Sequence, residues 1–416
     1  MTSPKIPAER LDPDARILFL SRIVRMFGYG FLAVVLVLYL AEIGLPAEAI
    51  GLLLSLTLAG DTLISLWLTT NADRIGRRRV LVAGALLMAG AGVAFALTSV
   101  PPILLLAAAI GVISPSGNEV GPFLAVEQAS LAQMVSGSRR TGLFAWYNLV
   151  GSVATAFGAL AAGAVAQALQ ASGAAPVDSY RAIVFGYAAI GLLLAAVFTR
   201  LSPAIEVVRS PEFVIPGARF GLHRSRGVVL RLSALFSLDA FAGGLITQSL
   251  VAYWFTVRWG VAPAVLGAIF FGANILAAAS ALSAARLAGR FGLINTMVFT
   301  HLPSNVLLIL VPLMPSLPLA VLVLLARFSI SQMDVPTRQS YTMTVVDPDE
   351  RSAAAGVTGI ARTTGAALSP LIAAPLFAVP GLASLPFFLA GGLKIVYDLA
   401  LWRAFRNRRP PEAESS

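Results

Sequence analysis

The chain has 416 residues, of which 57% are apolar and only 12% are charged, and its mean hydropathy is +0.83. A soluble domain carries about 25% charged residues, so a chain of this length and composition could not cover a water-facing surface. No cysteine and only two histidines are present, which excludes disulfides and leaves too few ligands for a histidine-based metal site. The composition therefore indicates an integral membrane protein without a cofactor or metal.

Apolar runs long enough to cross a membrane follow one another along the chain. A spanning helix needs about 20 largely apolar residues. By that measure we predict twelve helices, near residues 15–43, 47–71, 80–99, 102–134, 141–168, 180–200, 228–257, 262–284, 293–314, 317–345, 353–378 and 383–404. The sequence predicts an all-α membrane protein.

The fourth and tenth predicted helices are long and interrupted by polar residues, which is typical of tilted helices that line a wet space. The fourth contains Ser114-Pro115-Ser116-Gly117-Asn118-Glu119-Val120-Gly121-Pro122. Two prolines and two glycines in nine residues predict a break in the helix. Such breaks are tolerated at membrane depth where they line a cavity.

Basic residues lie mainly on one side of the predicted helices. Most of the 30 lysines and arginines fall in the terminal segments and in alternate connections, whereas the opposite connections hold only Arg181 and Arg258. This pattern places basic residues at the cytoplasmic face. It explains the formal charge of +10 without a nucleic-acid partner. We expect a multi-pass protein of the cell inner (plasma) membrane with both termini in the cytoplasm.

A long polar connection divides the chain into two parts. Residues 201–226 form the expected cytoplasmic linker between a six-helix bundle over residues 1–200 and a second one over residues 227–416, which ends in a short cytoplasmic tail. Equivalent glycines lie 216 residues apart, in the pairs Gly28 and Gly244, Gly44 and Gly260, Gly51 and Gly267, and Gly76 and Gly292. We interpret the two bundles as pseudo-symmetric parallel repeats, which one large transporter class uses.

The loop after the second predicted helix carries a motif. It reads Asp73-Arg74-Ile75-Gly76-Arg77-Arg78-Arg79. This resembles the signature loop of the major facilitator superfamily, in which a glycine and three variable residues precede Asp-Arg-x-Gly-Arg-Arg. Thr69 stands where that leading glycine is expected, and the second half retains only Gly289-Arg290-Phe291-Gly292. The resemblance implies a secondary active transporter with helices 1, 4, 7 and 10 around a central cavity.

Two readings of this loop remain open. Asp73 can form charge-assisted hydrogen bonds with the neighbouring arginines, and such a pair can latch one conformation and release in another. The alternative is that the arginines only anchor the loop to anionic lipid headgroups.

Six ionisable residues in the predicted helices lie at similar depth. Counted at ~1.5 Å per residue from the outer helix ends, they fall roughly 20–30 Å in; they are Arg25, Asp61, Glu119, Asp239, Asp334 and Arg362. Ionisable groups at such depth are costly and mark substrate and ion pathways. We interpret them as substrate and proton sites, with Arg25 paired to Glu119. The alternative for each residue is a buried structural pair.

Further charges suggest gates and one structural pair. Glu42 and Arg258 occupy equivalent positions at the outer ends of helices 1 and 7, and we expect them to close an outer gate. Farther along the chain the offset between the repeats becomes 211 residues, which makes Glu127 and Arg338 equivalent in helices 4 and 10, and we expect them to close an inner gate. The alternative is that each charge finds a partner in its own half or snorkels to the membrane interface. Lys394 and Asp398, four residues apart on helix 12, are expected to neutralise each other.

The six residues at similar depth comprise four acids and two bases, which favours proton coupling, a cationic substrate, or both. We therefore expect proton-coupled export (efflux) of a drug or metabolite by a monomer whose partners are the solute, protons and the lipid bilayer. The alternative is proton-coupled uptake of an organic anion or other small nutrient, with Arg25 or Arg362 meeting a carboxylate. An enzyme is not expected, because neither a nucleophile–base set nor metal ligands are apparent.

Overall fold

The computed structural model describes residues 12–134, 137–206, 222–347 and 350–406, and all regular structure within them is helical. In the N-terminal half the helices are α1 (Pro13–Ala33), α2 (Leu36–Glu42), α3 (Ala47–Ile75), α4 (Arg77–Leu97), α5 (Pro101–Ile110), α6 (Phe123–Met134), α7 (Gly137–Ala171) and α8 (Pro176–Phe198). In the C-terminal half they are α9 (Arg226–Gly244), α10 (Gln248–Trp259), α11 (Pro263–Phe291), α12 (Leu293–Leu310), α13 (Leu317–Ser331), α14 (Asp334–Thr344), α15 (Arg351–Leu368), α16 (Pro370–Ala378) and α17 (Leu385–Phe405).

These helices form membrane spans, several of them broken. Within the described ranges, ten stretches are long and apolar enough to cross a membrane, and α1 with α2, bent by 42°, makes an eleventh. The shorter apolar helix α5 and helix α6, joined by residues 111–122, complete the predicted twelve. The expected all-α membrane fold is confirmed, including the break in the fourth span.

The repeat has a structural counterpart in α3 and α11. Both ends of the two helices are related by the 216-residue offset seen between the glycines. Gly76 ends α3 with φ of 105° and donates its N–H to the Ala72 carbonyl, while Gly292 ends α11 with φ of 83° and donates to Ala288, both at 2.9 Å. Glycine adopts this positive-φ conformation without a Cβ penalty, which explains the matching positions.

The two halves meet through close packing of small residues. A Cβ on Gly51 of α3 would lie 2.6 Å from the carbonyl oxygen of Pro370 in α16. At the equivalent position in the other half, a Cβ on Gly267 of α11 would lie 2.8 Å from the carbonyl oxygen of Ala159 in α7. Any side chain at either glycine would force the halves apart.

A hydrogen-bonded contact between the halves lies nearby. Ser249 of α10 donates its hydroxyl to the Ala33 carbonyl at 2.7 Å and its N–H to the Pro115 carbonyl at 3.1 Å. We call the side of the bundle where α1 begins and α17 ends the termini side, and the opposite side the distal side. This contact, like the glycine contacts, lies toward the distal side.

Two glutamates hold the described ends of the expected linker on the termini side. Glu206 accepts the N–H groups of Arg77 at 2.7 Å and Arg78 at 3.2 Å, at the start of α4. Glu350 accepts N–H groups from residues 223–225, at the start of α9. The middle of the linker, residues 207–221, lies outside the described residues.

Candidate functional site

The N-terminal half contains a buried ion-pair cluster centred on Arg25. Its Nε donates to Glu119 Oε1 at 2.9 Å, and its Nη1 and Nη2 donate to the two carboxylate oxygens of Glu127 at 2.8 and 2.7 Å. Ser21 Oγ donates to Glu127 Oε1 at 2.7 Å, and the Tyr147 hydroxyl donates to Oε2. The expected pair of Arg25 and Glu119 is present, and Glu127 is its second, fully buried carboxylate.

Arg22 also belongs to this cluster, although sequence analysis did not identify it. It contacts Glu119 and lies over the Tyr147 ring, with 4.8 Å from its guanidinium carbon to the ring centroid. Its position three residues before Arg25 puts both arginines on one helix face, a signal that the sequence did contain. With two arginines and two glutamates, the cluster is electrically neutral.

Asp61 lies near this cluster but is bonded differently. Its Oδ1 accepts the N–H of Gly121 at 2.5 Å and the hydroxyl of Ser65 at 3.1 Å. No ion pair within 4 Å joins Asp61 to a cation among the described residues. Gly121 belongs to the irregular stretch of residues 111–122, which also carries Glu119. We call this stretch the span-4 break.

The C-terminal half contains a second cluster, centred on Asp239 of α9. Asp239 accepts from Lys394 Nζ at 2.5 Å and from Arg338 Nη1 at 3.1 Å, and its Oδ2 lies 3.6 Å from Arg362 Nη1. Arg338 Nη1 also donates to Asp334 at 2.9 Å. Asp239, Asp334 and Arg338 are buried, whereas 34% of the Arg362 side chain is exposed.

The expected pair of Lys394 and Asp398 is wrong. Lys394 bonds Asp239, while Asp398 lies 2.9 Å from His301 Nδ1 and accepts from Asn305 Nδ2 at 2.9 Å. Although the two residues lie four apart on α17, that helix packs against both α9 and α12. Each side chain therefore reaches a partner on a neighbouring helix, and this part of α17 is internal rather than peripheral.

The two clusters have opposite charge arrangements. In the N-terminal half the first span carries the cations and its neighbours the carboxylates, while in the C-terminal half α9 carries the carboxylate and its neighbours the cations. The C-terminal cluster and its surroundings hold four cations against three carboxylates, namely Arg327, Arg338, Arg362 and Lys394 against Asp239, Asp334 and Asp398.

The prediction that carboxylates outnumber arginines and lysines at this depth is therefore wrong for the two clusters that the fold assembles. Depth along a helix does not show which face a side chain occupies. Counting by depth consequently missed Arg22, Arg327 and Lys394, which the fold turns toward the clusters.

Neither expected gate pair is formed in this structure. Glu127 and Arg338 each bind within their own half, as described above. The Arg258 guanidinium carbon lies 5.0 Å from the ring centroid of Trp259, and no ion pair joins Arg258 to the exposed Glu42 among the described residues. Glu127 and Arg338 are already bonded to partners in their own halves, which explains why they do not pair with each other in this structure.

The signature loop is ordered by bonds within the N-terminal half. Arg77 is buried, and its Nε donates to Asp73 Oδ1 at 2.9 Å while its Nη1 donates to Gln133 at 3.0 Å. The expected charge-assisted bond of Asp73 is present. Asp73, Arg74 and Arg79 are exposed.

Comparisons with known proteins agree on the type of fold. The family model described as Major Facilitator Superfamily matches residues 18–370. The uncharacterized membrane protein YJR124C of Saccharomyces cerevisiae is 30% identical, with 93% of each chain covered. Among solved structures, the nucleoside transporter NupG has a TM-score of 0.71 at 14% identity, covering 95% of this chain and all of its own. The D-xylose–proton symporter has a TM-score of 0.70 at 15% identity, covering 94% and 97%.

Proposed function

Because this chain belongs to the Major Facilitator Superfamily, we propose that it is a secondary active transporter that moves a small solute by alternating access. The observation that carries the proposal is the separation of two kinds of contact. The buried ion pairs close within each half, while the described contacts between halves on the distal side involve glycines and a serine. The halves can therefore rock about a central solute without breaking a buried charge pair between them.

We further propose that solute movement is coupled to protons. A coupling site needs a carboxylate that can exchange a proton during the cycle, and carboxylates lie within the spans of both halves. The likeness to the D-xylose–proton symporter concerns the fold alone. Support for coupling comes instead from the variety of carboxylate environments, since some are tied to arginines and Asp61 is not.

An organic anion is the solute class that the charges favour. Arg362 is the most exposed cation of the C-terminal cluster, and the cluster has more cations than carboxylates. A solute carboxylate would bind the exposed part of this guanidinium group. A cationic drug would face this excess positive charge, so the organic anion is preferred here to the export of such a drug.

The membrane setting is part of the proposal. We propose a monomer in the cell inner (plasma) membrane with both termini, and therefore the termini side, facing the cytoplasm. The arginines of the signature loop on the termini side support this orientation through the positive-inside rule.

Reconstitution into liposomes with an enclosed pH dye tests these proposals. Monocarboxylates, dicarboxylates, nucleosides, pentoses and a cationic dye are supplied in turn on either side of the membrane. If uptake is by symport with protons, we expect protons to move in the same direction as the carboxylate. If export is by exchange for protons, we expect protons to move in the opposite direction. Protein-free vesicles are the control. Solute-dependent movement in none of the classes would overturn the transporter proposal, and movement of the cationic dye alone would overturn the preference for an anion.

Arg362→Gln and Arg362→Lys form the matched pair for the solute class. The glutamine variant should lose carboxylate flux by at least about tenfold, since a charge-assisted bond is worth ~1.5–3 kcal/mol. The lysine variant should keep part of it. Equal flux in wild type and Arg362→Gln would remove Arg362 from the solute site.

A further inference from the structure

Asp61 has a bonding environment unlike that of the four carboxylates in the two ion-pair clusters. Glu119, Glu127, Asp239 and Asp334 all lie within 4 Å of an arginine or lysine. A carboxylate so paired is held in its charged form by the neighbouring cation. Within the part of the chain that the structure describes, Asp61 instead accepts only a backbone N–H and a hydroxyl, so no cation there has to be displaced before it takes up a proton.

The surroundings of Asp61 contain few titratable groups. Helices α5 and α16, which pack against α3, have none. The hydroxyl of Tyr29 donates to the Val120 carbonyl at 2.9 Å, and that of Tyr187 donates to the Val112 carbonyl at 2.6 Å. These tyrosine hydroxyls are engaged with backbone oxygens rather than with Asp61.

The charged groups on the remaining neighbouring helices are engaged elsewhere. Glu127 on α6 is bonded to Arg25, and Arg362 on α15 faces Asp239. The arginines that begin α4 lie at its termini-side end, and Glu42 ends α2 on the distal side. No counter-ion on the described neighbouring helices therefore masks a change in the charge of Asp61.

The bond from Gly121 connects Asp61 to the span-4 break. A Cβ at Gly60 would overlap the carbonyl of Ala109, so α3 and the end of α5 touch backbone to backbone beside Asp61. Within the break, Gly117 and Gly121 have φ of 71° and 84°. Residues 111–122 form no regular helix, so their backbone N–H groups depend on individual acceptors of this kind.

The same stretch carries Glu119, two residues before Gly121. Glu119 binds Arg22 and Arg25, and 14% of its side chain is exposed, while the adjacent Asn118 is exposed. Movement of the stretch would therefore change how completely the two arginines are neutralised.

We propose that Asp61 is the coupling proton site and that the span-4 break transmits its protonation to the Glu119 ion pairs. A proton from water binds a carboxylate oxygen of Asp61 and forms an O–H group. The Gly121 N–H then loses its anionic acceptor, the break is released, and Glu119 withdraws from Arg22 and Arg25. The arginines can then bind an anionic solute, so proton and solute are taken up together.

This inference rests on the proposed proton coupling, but it can be tested without a solute. Hydrogen–deuterium exchange of the span-4 break is measured in the intact protein in lipid nanodiscs at neutral and mildly acidic pH, after correction for the intrinsic exchange rate. In wild type we expect exchange in residues 111–122 to rise about tenfold on acidification, as the loss of one charge-assisted hydrogen bond implies. Asp61→Asn should exchange at the faster rate at both pH values.

Two variants serve as controls. Thr62→Ala alters the adjacent residue, whose hydroxyl donates to the Leu58 carbonyl, and it should behave as wild type. Asp61→Glu keeps a protonatable group and should keep a pH response, which preserves the test if the asparagine variant does not fold. A wild-type-like pH response in Asp61→Asn, or no response in wild type, would overturn the inference.

Failure of the inference is distinguishable from failure of the proposed function. Proton flux in the liposome assay without a pH response in the break would leave coupled transport standing and assign the proton to another carboxylate. A pH response in the break without any solute-driven flux would support the role of Asp61 as the protonated group and contradict coupled transport.

Discussion

Glu127 and Arg338 occupy equivalent positions in the two halves, yet each is bonded to the central charged residue of its own half. Glu127 binds both guanidinium nitrogens Nη1 and Nη2 of Arg25, and Arg338 Nη1 binds Asp239. The two halves thus have a charged partner at the same position, Glu127 in one and Arg338 in the other, but the two partners have opposite charge. The two residues therefore anchor the first and the seventh span to the fourth and the tenth.

This relationship makes a prediction for the expected inner gate. The double reversal Glu127→Arg with Arg338→Glu should transport no better than either single reversal. Each reversal places a like charge beside the central residue of its own half, and the second change does not relieve the first. Solute flux in liposomes is the measurement, and recovery in the double variant would instead show that the two side chains meet in another conformation.

Removal of Glu127 should destabilise the N-terminal half strongly. Glu127→Gln leaves the fully buried Arg25 with Glu119 as its remaining carboxylate, and breaking a buried pair costs about 3–5 kcal/mol. Thermal unfolding in detergent should show a markedly lower midpoint. Glu48→Gln, which removes an exposed carboxylate, is the matched control and should change the midpoint little. Similar midpoints for both variants would contradict the buried network.

The C-terminal cluster should show coupling between Asp239 and Lys394. Asp239→Asn leaves the buried Lys394 and Arg338 with fewer carboxylates, so it should be strongly destabilising. Adding Lys394→Met removes one of these stranded cations and should recover at least about 1 kcal/mol, within the range measured for contacting residues. A double-mutant cycle on thermal unfolding checks this. Additive effects of the two changes would mean that the 2.5 Å contact contributes nothing to stability.

Close packing at Gly51 should control the distal contact between the halves. Gly51→Val should separate α3 from α16, because even a Cβ would lie 2.6 Å from the Pro370 carbonyl oxygen. The chain has no cysteine, so a single Ala41→Cys reporter on the distal side can be labelled with an impermeant maleimide. Labelling should be several-fold faster in the Gly51→Val background. Gly142→Val, at a position where a Cβ meets nothing within 4 Å, is the control and should leave the labelling rate unchanged.

The hydrogen bonds that Glu350 accepts on the termini side should make the free energy of unfolding depend on pH. Burial would raise the pKa of this carboxyl, but N–H donation from His223, Arg224 and Ser225 outweighs it and lowers the pKa from 4.5 to about 2. A depressed pKa contributes stability above the ordinary value, and that contribution is lost as pH falls from about 4.5 toward 2. Glu350→Gln should thus be less stable than wild type at pH 7, by on the order of 2 kcal/mol.

The unfolding midpoints of wild type and Glu350→Gln, measured from pH 7 downward, check this sign. The difference between them should shrink as acid protonates Glu350. A difference that grows on acidification would show that the bonds to the start of α9 do not favour the charged carboxylate.

The sequence alone determined the membrane class, the span count and the repeat, because these depend on properties that act along the chain. Apolar run length sets whether a segment can span a bilayer, and a glycine with positive φ marks the same helix end in both halves, as at Gly76 and Gly292. The pair of Arg25 and Glu119 was also predicted, since both lie at similar depth on neighbouring spans.

Only the tertiary structure decided which charges share a cluster. Depth along a helix can be counted from the sequence, but the direction of a side chain depends on how that helix is rotated and tilted against its neighbours. Lys394 consequently reaches Asp239 rather than Asp398, and Glu127 reaches Arg25 rather than Arg338. The contact from Gly121 to Asp61 likewise depends on where an irregular backbone stretch passes an adjacent helix, which no periodicity in the sequence encodes.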